Sequence, residues 1–154
     1  MRPAWLSLFA PLPDVAVVVR KPVASAEQIA RGTAGPIAGW QSVAVNLSEP
    51  DHGLRHVQIT LDADGRLLSG SDHVMFVRDT WPDGGEARLT DHESVGGRFE
   101  EDGSFRGTHW LTTLENSADG ETSITRQAVH RPPTAGEIAS LRLIIDDVLR
   151  RATR

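Results

Sequence analysis

Ser94-Val95-Gly96-Gly97-Arg98-Phe99-Glu100-Glu101-Asp102-Gly103-Ser104-Phe105-Arg106-Gly107-Thr108-His109 holds the pattern that decides the fold: two strand-like runs flank a three-residue turn. The last position of such a hairpin loop takes a left-handed conformation that glycine adopts without steric cost, and aspartate suits the position before it. Glu101-Asp102-Gly103 meets both demands, so its flanking runs must pair antiparallel. The same turn recurs at Ala63-Asp64-Gly65 and Ala118-Asp119-Gly120, and Pro82-Asp83-Gly84-Gly85 is a close variant. Consecutive hairpins then place strands at about 54–62, 66–80, 86–99, 104–116 and 121–130, with Trp40–Leu47 and Val15–Arg20 as earlier strands.

Glycines inside these runs, at Gly70, Gly96-Gly97 and Gly107, favour bulges and bends, which a sheet needs in order to coil or close. The expected fold is therefore α+β and mainly β: a strongly curved antiparallel meander or small barrel of six to eight strands with a C-terminal amphipathic helix. That helix is predicted over 134–152. Thr134 and Glu137 form a capping box after Arg131-Pro132-Pro133, and Ile138, Leu141, Ile145, Val148 and Ala152 repeat at helical spacing. Arg142 with Asp146 and Asp147 with Arg151 stand as i,i+4 pairs. A short helix near Ser25–Gly32, with a Ser cap and a Gly stop, precedes the meander.

Composition bounds the rest. A chain of 154 residues, 39% apolar and 24% charged, reads as a single domain (1–154) able to bury its own core, with 1–13 as a flexible N-terminal segment. The absence of cysteine removes disulfides, thiolate zinc sites and thiol nucleophiles together and fits a reducing, cytoplasmic location. A net charge of −5 argues against a nucleic-acid partner, because phosphate binding rests on a basic surface. Arg2 before Ala4-Trp5-Leu6-Ser7-Leu8-Phe9-Ala10 is a weak export signal at best, with Pro11 and Pro13 following at once. No run approaches the ~20 apolar residues of a membrane helix, so no membrane association is expected.

Candidate chemistry is sparse. No phosphate loop, dinucleotide fingerprint, nucleophile elbow or HExxH motif is present, and no cofactor is expected. His52 and His56 have the spacing of a helical zinc pair, but Pro50 and Gly53 break a helix, and in a strand the two lie about 13 Å apart, so no metal site is expected. In Asp51-His52, Asp72-His73 and Asp91-His92 the adjacent side chains of a strand point to opposite faces, so none is a dyad by itself.

Register through the turns is more informative. A three-residue loop at Glu101–Gly103 pairs Phe99 with Phe105, Val95 with His109, Glu93 with Leu111 and Asp91 with Thr113. A similar loop at Ala118–Gly120 pairs Leu114 with Ile124, Thr112 with Arg126 and Trp110 with Ala128. One face then carries Asp91, Glu93, His109 and Gln127 among Ala87, Leu89, Val95, Phe99, Phe105, Leu111 and Val129. Ionisable groups amid apolar neighbours must be paired, and such places often hold tuned acids and bases. Glu93, His109 and Asp91 are the candidate catalytic residues, with Gln127 beside them as a ligand contact. A bulge at Gly96-Gly97 would instead flip the parity and leave Asp91 and Glu93 in water. On the other face His92, Thr112 and Arg126 form a row with Trp110 as a wall, a set that would take an anionic ligand if that side faced inward.

The meander resembles calycin-type ligand-binding barrels, which implies an interior pocket for a small apolar molecule. Ala38-Gly39-Trp40 stands where those families open with Gly-x-Trp, and the resemblance transfers no binding residue. Three functional readings stay open. The first is a small-molecule-binding domain without catalysis. The second is a cofactor-free acid/base enzyme of isomerase or lyase type. The third is an interaction module forming a homodimer through the helix or the N-terminal apolar segment.

Overall fold

The computed structural model describes residues 2–24, 36–78, 88–117 and 121–153. Seven strands, β1 (Val18–Ala24), β2 (Pro36–Glu49), β3 (Gly53–Leu61), β4 (Leu67–Val77), β5 (Arg88–Phe99), β6 (Phe105–Asn116) and β7 (Ser123–Arg131), lie side by side in chain order, each antiparallel to the next. The helix α1 (Ala135–Ala152) follows, and its capping box of Thr134 and Glu137 is formed. Gly65 and Gly103 take the left-handed conformation that their turns demand, with φ of 84° and 86°. The short helix expected near Ser25–Gly32, and the turns at Pro82–Gly85 and Ala118–Gly120, lie outside the described residues.

The sheet is open. β1 and β7 are its two edges, and it neither closes into a barrel nor curves strongly, which corrects the expectation of a barrel and with it the interior pocket implied by the calycin resemblance. The glycines were read as bends, but they do something else. Gly70, Gly97 and Gly107 are cross-strand neighbours in one row, and the register of β4, β5 and β6 passes through them without a shift. A Cβ on Gly97 would meet the carbonyl oxygen of Arg106 at 2.1 Å, one on Gly107 would meet the Phe105 ring at 2.5 Å, and one on Gly70 would meet Ile145 Cδ1 at 2.5 Å. The row is a trough in a flat sheet that lets α1 and the Phe99–Phe105 pair settle against the backbone.

Alternation along each strand divides the sheet into two faces. One carries Val43, Val45, Val57, Ile59, Leu61, Val74 and Val95, all buried. Over it lies α1, which presents Leu141, Ile144, Ile145 and Val148 at helical spacing. Arg142 departs from its expected pairing with Asp146: its guanidinium lies over the Phe99 ring and donates to the Gly103 carbonyl. Asp147 and Arg151 do pair, at 3.2 Å.

A strap formed by residues 2–17 completes the cover on this same face, with Leu6 and Leu12 buried. It is tied at both ends. Arg151 donates to the carbonyls of Pro13 and Leu12. Arg55, fully buried on β3, donates through Nε and Nη2 to both oxygens of buried Asp72 at 3.0 and 2.8 Å. Its Nη1 reaches the carbonyls of Trp5 at 3.0 Å and Ala10 at 2.7 Å. The Phe9 N–H donates to Asp72 Oδ2, and Phe9 itself takes a left-handed φ of 64° to make the turn. Leu6 and Leu12 of this segment thus join the buried apolar side chains.

Breaking a buried ion pair leaves an uncompensated charge, so Arg55→Met is expected to cost about 3–5 kcal/mol of unfolding free energy, read from urea denaturation. A loss below about 1 kcal/mol would mean that water reaches Asp72 and that the strap is not closed over it.

Candidate functional site

The structure brings Glu93 and His109 together on the covered face. The register Phe99 with Phe105, Val95 with His109, Glu93 with Leu111 and Asp91 with Thr113 runs unbroken through Gly96-Gly97, so no bulge flips the parity. His109 Nε2 lies 3.5 Å from Glu93 Oε2, and its Nδ1 meets Glu137 on the first turn of α1. Arg131 at the end of β7 grips both oxygens of Glu137, Nη1 to Oε1 at 2.7 Å and Nη2 to Oε2 at 3.0 Å, and its Nη2 also lies 2.9 Å from His109 Nδ1. His109, Glu137 and Arg131 lie within hydrogen-bond distance of one another, and Glu93 sits beside them with a third of its side chain exposed. Together they join β5, β6 and β7 to the N-terminus of α1, where an acidic side chain also complements the helix dipole.

Asp91 is a second closed set. It is buried, and its carboxylate accepts from Arg78 Nε at 2.6 Å, from Arg78 Nη2 at 3.0 Å and from Thr113 Oγ1 at 2.6 Å. Burial alone would raise the Asp91 carboxyl, but the Arg78 and Thr113 hydrogen bonds outweigh it and hold it below the ordinary value. Gln127 pairs across the ladder with Thr113 but lies in solvent, as does all of β7. Val129, expected on an apolar wall, is 45% exposed because α1 covers the sheet over β1, β2 and β4.

The register of β7 differs from the sequence reading. Trp110 faces His130, Thr112 faces Ala128 and Leu114 faces Thr125, with a shift after Thr113. Arg126 is the extra residue at that shift. It leaves the expected row with His92 and Thr112 and pairs with Glu115 at 2.9 Å instead. His92 and Thr112 remain cross-strand partners on the uncovered face.

The uncovered face holds a broad opening. A groove of about 520 Å³ runs across β3 to β7, lined by Gln58, Thr60, Ser69, Ser71, Ser94, Thr108, Trp110 and His130 over the backbone of Gly70, Gly96 and Gly97. Small side chains in the middle strands make the floor, and the larger Trp110, His130 and Gln58 make the walls. One ladder row, Asn46, His56, His73, Ser94, Trp110 and His130, crosses six strands along its border. His73 stacks at a tilt on Trp110, ring centres 5.4 Å apart, and on His92 at 5.7 Å. Burial and the neighbouring His92 and His56 push the His73 imidazole below its ordinary value, and burial does the same to His92, so the neutral form of both rings is favoured. No Asp, Glu, Lys or Arg is among the residues lining this groove.

The sequence reading placed Trp110 and His92 on this face but missed its floor. The signal was available: Gln58 and Thr60 alternate with Val57, Ile59 and Leu61, and Ser69 and Ser71 flank Gly70. Among the described residues, no three His, Asp or Glu side chains are arranged to hold a metal ion, and no helix is long and apolar enough to cross a membrane. No protein-family model, curated protein or solved structure matches the chain.

Arg131 above all, then the Thr134 N–H and His109, draw the Glu137 carboxyl from 4.5 down to about 2. A depressed folded value means that this stabilisation is whole above the unfolded value near 4.5 and drains away as the pH falls toward 2. Urea unfolding measured at successive pH values should show the wild type losing stability through that window more steeply than Glu137→Gln. Parallel curves would remove the clamp at the helix N-terminus.

Proposed function

We propose that the protein is a small-molecule-binding domain, without catalysis of its own, that takes a neutral, hydroxyl-bearing ligand on the uncovered face of its sheet. The observation that carries this reading is the lining of the groove: five hydroxyl side chains, an amide, an indole and an imidazole, with no Asp, Glu, Lys or Arg. Its volume falls within the ~300–1,000 Å³ typical of ligand pockets. Hydroxyls and amides both donate and accept, which suits a polyhydroxylated molecule, and an indole offers a flat apolar surface for the C–H face of such a ligand. The Glu93–His109 pair argues against the acid/base reading by its position, because it lies on the face opposite the groove and the Nδ1 of the imidazole is engaged with Glu137 and Arg131.

Titration of the protein with methyl glucoside, inositol, inorganic phosphate and citrate, followed by NMR, tests the reading. The two neutral compounds should shift the Trp110 indole N–H signal with about millimolar affinity, as expected for a shallow open site, and the anions should not. Trp110→Ala should weaken the neutral ligands about tenfold, the worth of one aromatic contact. Shifts produced by the anions alone would sink the proposal.

A further inference from the structure

The groove does not end at its polar floor. Thr60 and Ser69, cross-strand partners on β3 and β4, line both the groove and a second cavity of about 480 Å³ toward the end of the sheet. The other walls of that cavity are Val23, Trp40, Leu68 and Phe99, with Arg98 and Glu100 at the rim. Among the described residues, two small hydroxyl side chains, those of Thr60 and Ser69, are the wall the two cavities share. One half is polar and uncharged, and the other is apolar.

Trp40 and Leu68 are the informative residues. Neither belongs to the buried core that joins the sheet to α1, and both are half-buried. Large apolar side chains drawn around a cavity outside the core leave surface that water solvates poorly, and an apolar group placed there gains by displacing that water. Thr60 pairs with Ser42 on β2, two residues from Trp40, so the apolar half begins about 8 Å from the shared hydroxyls. A molecule lying in the groove thus passes from its polar floor over Thr60 and Ser69 toward Trp40 and Leu68.

We infer that the ligand is a neutral amphiphile, a hydroxylated head seated between Gln58 and Trp110 with an alkyl chain running over Thr60 and Ser69 onto Trp40 and Leu68. This rests on the open-face reading of the groove and adds the second half of the ligand to it. A carboxylate head is the competing chemistry, because Arg98 and Arg106 face each other across β5 and β6. Those two arginines already share Glu100, at 3.9 and 3.5 Å, and their side chains are 75% and 78% exposed, so a charge placed beside them stays in water and gains little.

Isothermal titration of the full chain with octyl glucoside below its micelle concentration, methyl glucoside and octanoate separates the possibilities. Octyl glucoside should bind at least about thirtyfold more tightly than methyl glucoside, the worth of two to three buried methylenes. Trp40→Ala should cut that ratio to about threefold or less, and Leu68→Gln, a milder change, should lower it in the same direction, so a folding defect in one variant does not decide the result. Equal affinity for the two glucosides would overturn the amphiphile while leaving the neutral-ligand reading in place. No binding of either would remove both. A ratio that survives both substitutions, or octanoate binding more tightly than octyl glucoside, would overturn the inference and in the second case move recognition to Arg98 and Arg106.

Discussion

A guanidinium with no access to water fixes this molecule. Arg55 gives hydrogen bonds to both oxygens of Asp72 and to the carbonyls of Trp5 and Ala10, and the Phe9 N–H closes the set on the carboxylate. Two buried charges cost several kcal/mol of lost hydration, and their attraction repays this only when the geometry is complete. The pair therefore adds little net stability over apolar residues of the same size, but it makes the position of the strap highly specific. A strap displaced by one residue would leave two carbonyls and an N–H without partners, and each buried loss costs about 1–3 kcal/mol. The strap can close on one face only, the one where Arg55 and Asp72 point.

That choice determines the remainder of the architecture. Strap and α1 share a face, joined by the hydrogen bonds from Arg151 to Leu12 and Pro13. The Gly70, Gly97 and Gly107 row lets Ile145 approach the sheet backbone on the covered side. On the other side the backbone of the same region, with Gly96, is the floor of the groove. Gly70 thus serves the packing of the helix on the covered side, and Gly96, of opposite parity, the depth of the opening on the other. Flatness has a consequence as well. A closed barrel would hide its ligand inside, whereas an open sheet holds it between side chains that stand up from a floor.

The sequence was most legible where local chemistry sets geometry. The x-Asp-Gly turns specify hairpins, hairpins specify neighbours, and the Glu101-Asp102-Gly103 turn alone fixes the pairing of β5 with β6 along its whole length. Legibility failed in three places for three reasons. The glycines were ambiguous, since a residue without a side chain serves a bend and a close approach equally well, and only Ile145 and Phe105 in three dimensions tell them apart. The register of β7 depended on a bulge after Thr113 that no residue type announces, and with it went the expected place of Arg126. Arg55 was visible in principle, because it shares parity with Val57, Ile59 and Leu61, but its role needed the strap, and the strap resembled a loose terminus. The candidate site divided along the same line. Which residues share a face followed from parity, so Glu93 met His109, while which face holds the opening followed from tertiary packing and could not be read.

The partition of charge between the faces follows from how well each can be dried. Where α1 and the strap exclude water, an ionised group must find its complement within the fold. Arg55 with Asp72 is such a closed set, while His109 with Glu93 and Glu137, and Asp91 with Arg78 and Thr113, lie on the same side of the sheet with one member of each partly exposed. These groups hold elements together and have little capacity left to act on a substrate. On the uncovered side water competes with every contact, and a charge would gain little beyond what solvent already gives it. Recognition there has to come from shape, stacking and the small hydrophobic gain of covering Trp110 and Trp40, with hydroxyls to set orientation. A neutral floor is thus the arrangement in which an open, flat sheet loses least to solvent when it binds.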